Sequence, residues 1–121
     1  MNNHELQALR KILMLDVSEA AQYVGKVSAR TWQYWESGRN KVPQDVVESI
    51  RNLIQEREEL LKKMVLPCKE YTETHKLIIK YYHYFDLFLS ENENVTELNW
   101  RIHQSVASAI FFKYQDCVEL T

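Results

Sequence analysis

Glycine and proline are scarce, with two of each in 121 residues. That excludes a fold built on many tight turns and points to mostly helix. Cysteine is equally scarce. Cys68 and Cys117 are too few for a disulfide framework or a thiolate metal site, and they read as the reduced thiols of a cytoplasmic protein. No apolar run is long enough to cross a membrane, and neither a signal peptide nor a lipidation motif is evident. The histidines, His4, His75, His83 and His103, show no HxxxH spacing and no accompanying Cys-x-x-Cys, so no metal is expected. There is no phosphate-binding glycine loop, no G-x-S-x-G and no nucleophile–base set. The expectation is a binding protein, not an enzyme, with no cofactor. Internal repeats and low-complexity tracts are also absent.

The composition that remains is 45% hydrophobic, enough for a core in a chain of one domain or a small domain with an appendage. A chain of this size buries a modest share of its surface, so pairing with a second copy would help. The formal net charge is −2, whereas DNA binders are often basic. Local distribution matters more than the total. Between Lys26 and Lys41 the basic residues are Lys26, Arg30, Arg39 and Lys41, and the acid is Glu36; beyond Pro67 acids exceed bases. Positive potential is therefore expected around one stretch.

That stretch is Val17 to Val42, VSEAAQYVGKVSARTWQYWESGRNKV. Two helical patterns flank a turn at Gly25-Lys26. In the first, Ala20 and Ala21 permit close approach of a second helix. The second begins at Ser28, whose hydroxyl can accept the free N–H of Arg30 or Thr31. It stops at Gly38, a residue type suited to a left-handed helix end. Trp32 and Trp35 share one face and are expected to pack in a small core. Arg30, Gln33 and Tyr34 point elsewhere. An exposed recognition helix reads bases mainly through its N-terminal residues, and Arg and Gln can pair with guanine and adenine edges. The candidate base contacts are Ala29, Arg30, Gln33 and Tyr34. The candidate phosphate contacts are Lys26, Ser28, Ser37, Arg39 and Lys41. The alternative reading of Arg30 is a surface salt bridge to Glu36 or Glu19, and that of Ser28 and Ser37 is capping. Glu36 reads as structural.

VSARTWQYWESGR resembles the helix-turn-helix of lambda-repressor-like (XRE-like) regulators. The usual pattern places Gly directly before the residue equivalent to Val27; here Lys26 intervenes and the turn is one residue longer. A narrower resemblance covers both ends of the chain. NHELQALRKILMLDVSEAA and NWRIHQSVASAIF are similar to the YdiL-like proteins and the second family of anti-CRISPR-associated (Aca) repressors. That resemblance implies repression of the protein's own promoter, in a short operon that includes an anti-CRISPR gene.

Elsewhere, Asn3 is expected to cap a first helix running to about Leu15, with Leu6, Leu9, Ile12 and Leu13 inward and Arg10 and Lys11 outward, either on phosphate or in solvent. Asp16 should cap the second helix. Pro43 opens a long helix whose first half closes the core and whose charged second half is a linker or faces a partner. Pro67 should end it. Cys68 to Thr74 reads as loop, His75 to Tyr81 as a single strand that pairs with its copy in a second subunit, and Tyr82 to Ser90 as a short helix with Phe85, Phe88 and Leu89 inward. A final helix begins at Thr96 or Glu97.

The expected fold is mainly α: an N-terminal helix-turn-helix bundle, a long linker helix, and a small C-terminal α+β dimerisation part with one short strand. The boundary is placed between residues 1–66 and 67–121. The expected partner is double-stranded DNA, read by a homodimer on an inverted repeat. Two alternatives remain open. One is an antitoxin-like module that binds a protein partner. The other is a translational regulator that binds RNA, with Tyr81, Tyr82, Tyr84 and Phe85 as stacking candidates.

Overall fold

A computed structural model describes residues 1–121. The chain is 64% helical, with six α-helices and a two-stranded parallel sheet, the mainly α class expected. It divides into two compact units, Met1–Gln55 and Glu56–Thr121. The division falls inside the long helix, upstream of the Pro67 boundary drawn on sequence.

In the first unit, Asn2 caps α1 (Asn3–Ile12). Its side chain accepts the Glu5 N–H at 2.9 Å, and Glu5 accepts the Asn2 N–H at 2.7 Å. This corrects the assignment of the cap to Asn3, which is already helical and donates its side-chain amide to the carbonyl of Glu36 at 3.1 Å. The helix also ends earlier than expected, because Met14 turns left-handed at φ 60°. Leu6 and Leu13 are fully buried, but Ile12 is exposed. Arg10, expected outside, is buried.

Asp16 and Glu19 form the reciprocal cap of α2 (Val17–Glu19). The helix then widens into a π-type turn over Ala20–Gly25. Lys26 closes it in the left-handed conformation at φ 54°, and the Val27 N–H reaches back to Ala21 O at 3.0 Å. Next come α3 (Ala29–Glu36) and α4 (Gln44–Val65). Val46, Val47 and Ile50 of α4 join Leu6, Leu13, Ala20, Ala21, Val24, Trp32 and Trp35 in the core.

In the second unit, α4 gives way to a 3-10 turn, Leu66–Glu70, which carries Pro67 at its start and buries Cys68 in a segment read as loop. Strand β1 (Leu77–Ile79) follows, then α5 (Phe85–Glu91), α6 (Glu97–Lys113) and β2 (Val118–Leu120). The single strand expected to pair across subunits pairs within the chain. β1 and β2 are parallel, with Leu77 opposite Val118 and Ile79 opposite Leu120. The three-residue VEL segment is too short to show an alternating pattern, which is why sequence left it unassigned.

Phe88 is buried and Phe85 half-buried as expected, but Leu89 is exposed. On α6, Trp100 Nε1 and Gln104 Nε2 both donate to Tyr82 O at 2.8 Å, which fixes the extended segment before α5. Arg57 Nε donates to Ser105 Oγ at 2.7 Å. No helix is long and apolar enough to cross a membrane.

His103 on α6 lies among the rings of Tyr82 and Phe88, with centroids 5.2 and 5.6 Å away. Its Nδ1 is buried without a hydrogen-bond partner. Burial holds its pKa below the ordinary 6.5. The unfolded chain takes up a proton near that value while the folded chain resists it. Stability should therefore decline as pH falls below 6.5. The check is an NMR titration of the His103 ring beside urea unfolding at neutral and mildly acid pH. A ring midpoint at or above 6.5 would contradict the burial argument.

Candidate nucleic-acid interface

The site is built on α3 and the loop after it. Ser28 starts the helix by accepting the Thr31 N–H at 3.2 Å, with the two hydroxyl oxygens 3.1 Å apart. Trp32 is fully buried and Trp35 nearly so; their rings meet edge-on with centroids 5.5 Å apart. With those rings inside, Arg30 and Gln33 are exposed on the opposite face, and Ala29 and Tyr34 are half-buried.

The close approach that seats the tryptophans depends on Gly25. A Cβ there would lie 3.0 Å from Trp35 Cζ3 and 3.1 Å from both Trp32 Cε3 and Val27 Cγ2. The extra residue of the turn is accommodated upstream, in the π-type turn and the left-handed Lys26. Ser28 therefore still caps α3, and the helix starts where the sequence pattern places it.

Glu36 locks α3 to α1. Arg10 Nε and Nη2 donate to its two oxygens at 2.6 and 3.0 Å, and Arg10 Nη1 donates to Leu15 O at 3.0 Å. Trp32 Nε1 donates to the same carboxylate. Burial alone would raise the Glu36 pKa, but the bonds from Arg10 and Trp32 and the Arg10 charge outweigh it and hold it below 4.5. Arg10 was the residue missed on sequence. Its place four residues after Leu6 and three before Leu13 puts it on the buried face of α1, a periodic signal that marks Arg10 rather than Lys11 as the inward residue. Glu36 is thus engaged by Arg10, and Glu19 caps its own helix at Asp16 N. Arg30 has no carboxylate partner in the structure.

The loop after α3 is ordered by its own backbone. Ser37 Oγ donates to Tyr34 O at 3.2 Å and accepts the Arg39 N–H at 3.4 Å. Asn40 N donates to Tyr34 O at 3.1 Å. Gly38 takes φ 83°, with the Asn3 amide packed against it. The guanidinium of Arg39 lies 4.3 Å from the Tyr34 ring centroid, and that of Arg30 lies 5.9 Å from the same centroid. Arg30, Tyr34 and Arg39 are thereby brought together. Lys26 and Lys41 are exposed. Ser28 and Ser37 are also exposed, with hydroxyls already engaged in capping. No three His, Cys, Asp or Glu side chains converge closely enough to hold a metal ion.

Residues 1–118 match a family model described as Aca2/YdiL-like. The chain is 43% identical over 111 residues to the Aca2 repressor of Pectobacterium phage ZF40, covering 92% of this chain and 93% of that protein. It is 26% identical over 112 residues to the uncharacterized protein YdiL of Escherichia coli (strain K12), with the same coverage, 92% and 93%.

Removing the Glu36 carboxylate would strand the Arg10 guanidinium, whose side chain is 10% exposed, and orphan the Trp32 indole N–H. Glu36→Ala should cost about 3 kcal/mol of stability, read as a lower urea midpoint. In the native protein this contribution is present above pH 4.5 and fades as pH falls through the lower folded value. An unchanged midpoint in the variant would remove the ion pair from its holding role.

Proposed function

The chain belongs to the Aca2/YdiL-like family, and from that membership we propose that it is a sequence-specific DNA-binding transcriptional repressor. It acts by occupying DNA rather than by catalysis, and it needs no cofactor or metal. The observation that carries this reading is the exposed face of α3 and its following loop. Arg30, Gln33, Arg39 and Lys41 are exposed there, Lys26 is exposed in the turn just before α3, and Glu36, the acid between Lys26 and Lys41, is held in an ion pair.

Arg30 and Gln33 occupy the first two turns of α3, where a recognition helix meets base edges in the major groove. Ala29, half-buried at the helix start, is small enough to let a base come close. Lys26, Arg39 and Lys41 supply phosphate contacts. Ser28 and Ser37 add to these only by sharing hydroxyls that already cap.

A single helix reads few base pairs. The protein therefore acts as a homodimer on an inverted repeat, with recognition helices about 34 Å apart or a multiple of that. Exposed large apolar side chains support association through the second unit. Ile12 is the one such residue in the first unit; Leu66, Ile78, Tyr84, Leu87, Leu89, Phe111 and Phe112 are in the second. In this reading the operator lies upstream of the protein's own gene, in a short anti-CRISPR-type operon, and the protein acts in the cytoplasm.

A gel-shift titration against that upstream DNA, at two salt concentrations, tests the reading. Arg30→Ala should cost roughly 1–3 kcal/mol on the cognate site and little on unrelated duplex. Arg39→Ala should weaken all duplexes alike and flatten the salt dependence. Sequence-blind binding that Arg30→Ala leaves unchanged would reject the assignment of bases to α3. Tighter binding of the transcript than of the duplex in direct competition would favour the RNA alternative, and copurification with a second protein the antitoxin-like one. Phe111→Asp with Phe112→Asp should shift the protein toward monomer in sedimentation. An intact dimer would place the interface elsewhere.

A further inference from the structure

We propose that Tyr34 is a positioning residue, a ring platform that holds Arg39 and flanks Arg30 so that both guanidiniums are presented together to nucleic acid. The proposal rests on the DNA-binding reading above and replaces the direct base contact expected of Tyr34. Both the main chain and the side chain of Tyr34 act on the same loop. Its carbonyl accepts Asn40 N–H and Ser37 Oγ, at 3.1 and 3.2 Å, which folds residues 37–40 back over the end of α3. Its ring then takes the side chain of Arg39, with the guanidinium carbon 4.3 Å from the ring centroid. Arg30 approaches from one helical turn earlier, at 5.9 Å.

The chemistry suits presentation. Neither arginine has a carboxylate partner, and the Tyr34 ring is the face against which Arg39 lies closely and Arg30 more loosely. A guanidinium held against a ring face keeps its N–H groups directed outward at its rim, where a phosphate or a guanine edge can take two of them at once. Restricting the stem beforehand lowers the entropy lost on binding. Two cations beside one ring also repel each other in the free protein, and an arriving polyanion relieves that repulsion. A tyrosine hydroxyl reading a base would require none of this geometry. The ring accounts for it, which makes the aromatic face the functional group.

The test uses the full-length protein, duplex operator DNA and Tyr34→Phe beside Tyr34→Leu. In the free protein, ring current should displace the Arg39 side-chain methylene resonances upfield. That displacement should persist in Tyr34→Phe and vanish in Tyr34→Leu. Tyr34→Phe should bind within about twofold of wild type, while Tyr34→Leu loses about two- to fivefold in affinity. Tyr34→Leu should flatten the salt dependence in the same direction as Arg39→Ala, and the double variant should lose less than the sum of the two single losses.

Absence of the ring-current displacement in the wild type overturns the platform whatever the protein binds. A loss in Tyr34→Phe equal to that in Tyr34→Leu overturns it in favour of a hydroxyl contact. Additive losses in the double variant overturn the coupling between ring and Arg39. Normal ring-current shifts with no duplex binding by wild type would instead overturn the DNA reading, and with it the purpose assigned to the ring. If Tyr34→Leu fails to fold, Arg39→Lys serves the same comparison. It keeps the charge but not the planar guanidinium, so wild-type affinity in that variant overturns the proposal.

Discussion

The ion pair between Arg10 and Glu36 is the constraint on which the first unit depends. A carboxylate with a side chain 7% exposed is costly to bury, and here it is matched by two bonds from one guanidinium and one from an indole. The third arm of Arg10 holds Leu15 O at the exit of α1. One charged cluster therefore fixes the end of α3, the end of α1 and the orientation of Trp32. Apolar attraction is non-directional and does not by itself forbid a small rotation of α3. The bidentate geometry does not allow it. The proposed reading of bases by Arg30 and Gln33 calls for that kind of constraint.

The second constraint is spatial and sits at the other end of α3. Gly25 passes so near both tryptophan rings that a side chain would collide with them. The chain has one residue more than the usual turn at this place. A π-type turn absorbs it on the side of α2, where the backbone can widen without disturbing Ser28. Left-handed Lys26, a conformation that glycine adopts more readily, closes the turn. Glycine is thus kept where close approach demands it, and the positive backbone angle falls to a lysine whose side chain is exposed.

The parts legible in the sequence were those with a strong local signal. The tryptophan spacing placed α3's inner face. Ser28 and Gly38 marked its ends, and the core stripe of α4 was visible in Val46, Val47 and Ile50. The parts that were not legible depend on partners far along the chain. Arg10 meets Glu36 twenty-six residues away; its spacing from Leu6 and Leu13 marks the inner face, but nothing local names the partner it finds there. The cap of α1 is an exception: Asn2, unlike Asn3, has a glutamate three residues on, and that local capping-box spacing distinguishes the two. Parallel pairing of Leu77–Ile79 with Val118–Leu120 requires a crossover through α5 and α6, so neither short strand announces its partner. The sequence showed which residues of the interface stretch were available for contact. The placement of the Arg39 guanidinium against the Tyr34 ring depends on a loop fold that its residue types did not dictate.

The buried ion pair also bears on the charge of the proposed DNA-binding face. With a net charge of −2, the chain as a whole is not attracted to a polyanion. Whole-chain charge is the wrong measure, because salt screens exposed charges beyond about 8 Å at physiological ionic strength. The local sum is what an approaching phosphate feels. Between Lys26 and Lys41 that sum is four cations against one anion on paper. Glu36 is the anion, and Arg10, which lies outside the stretch, neutralises it inside the protein. The exposed field over α3 and its loop is therefore set by Lys26, Arg30, Arg39 and Lys41 without an opposing exposed carboxylate in the same stretch. One arginine drawn from α1 both anchors α3 and removes the acid that would weaken its field. Stability and the proposed DNA affinity are thus linked through a residue on neither α3 nor its loop.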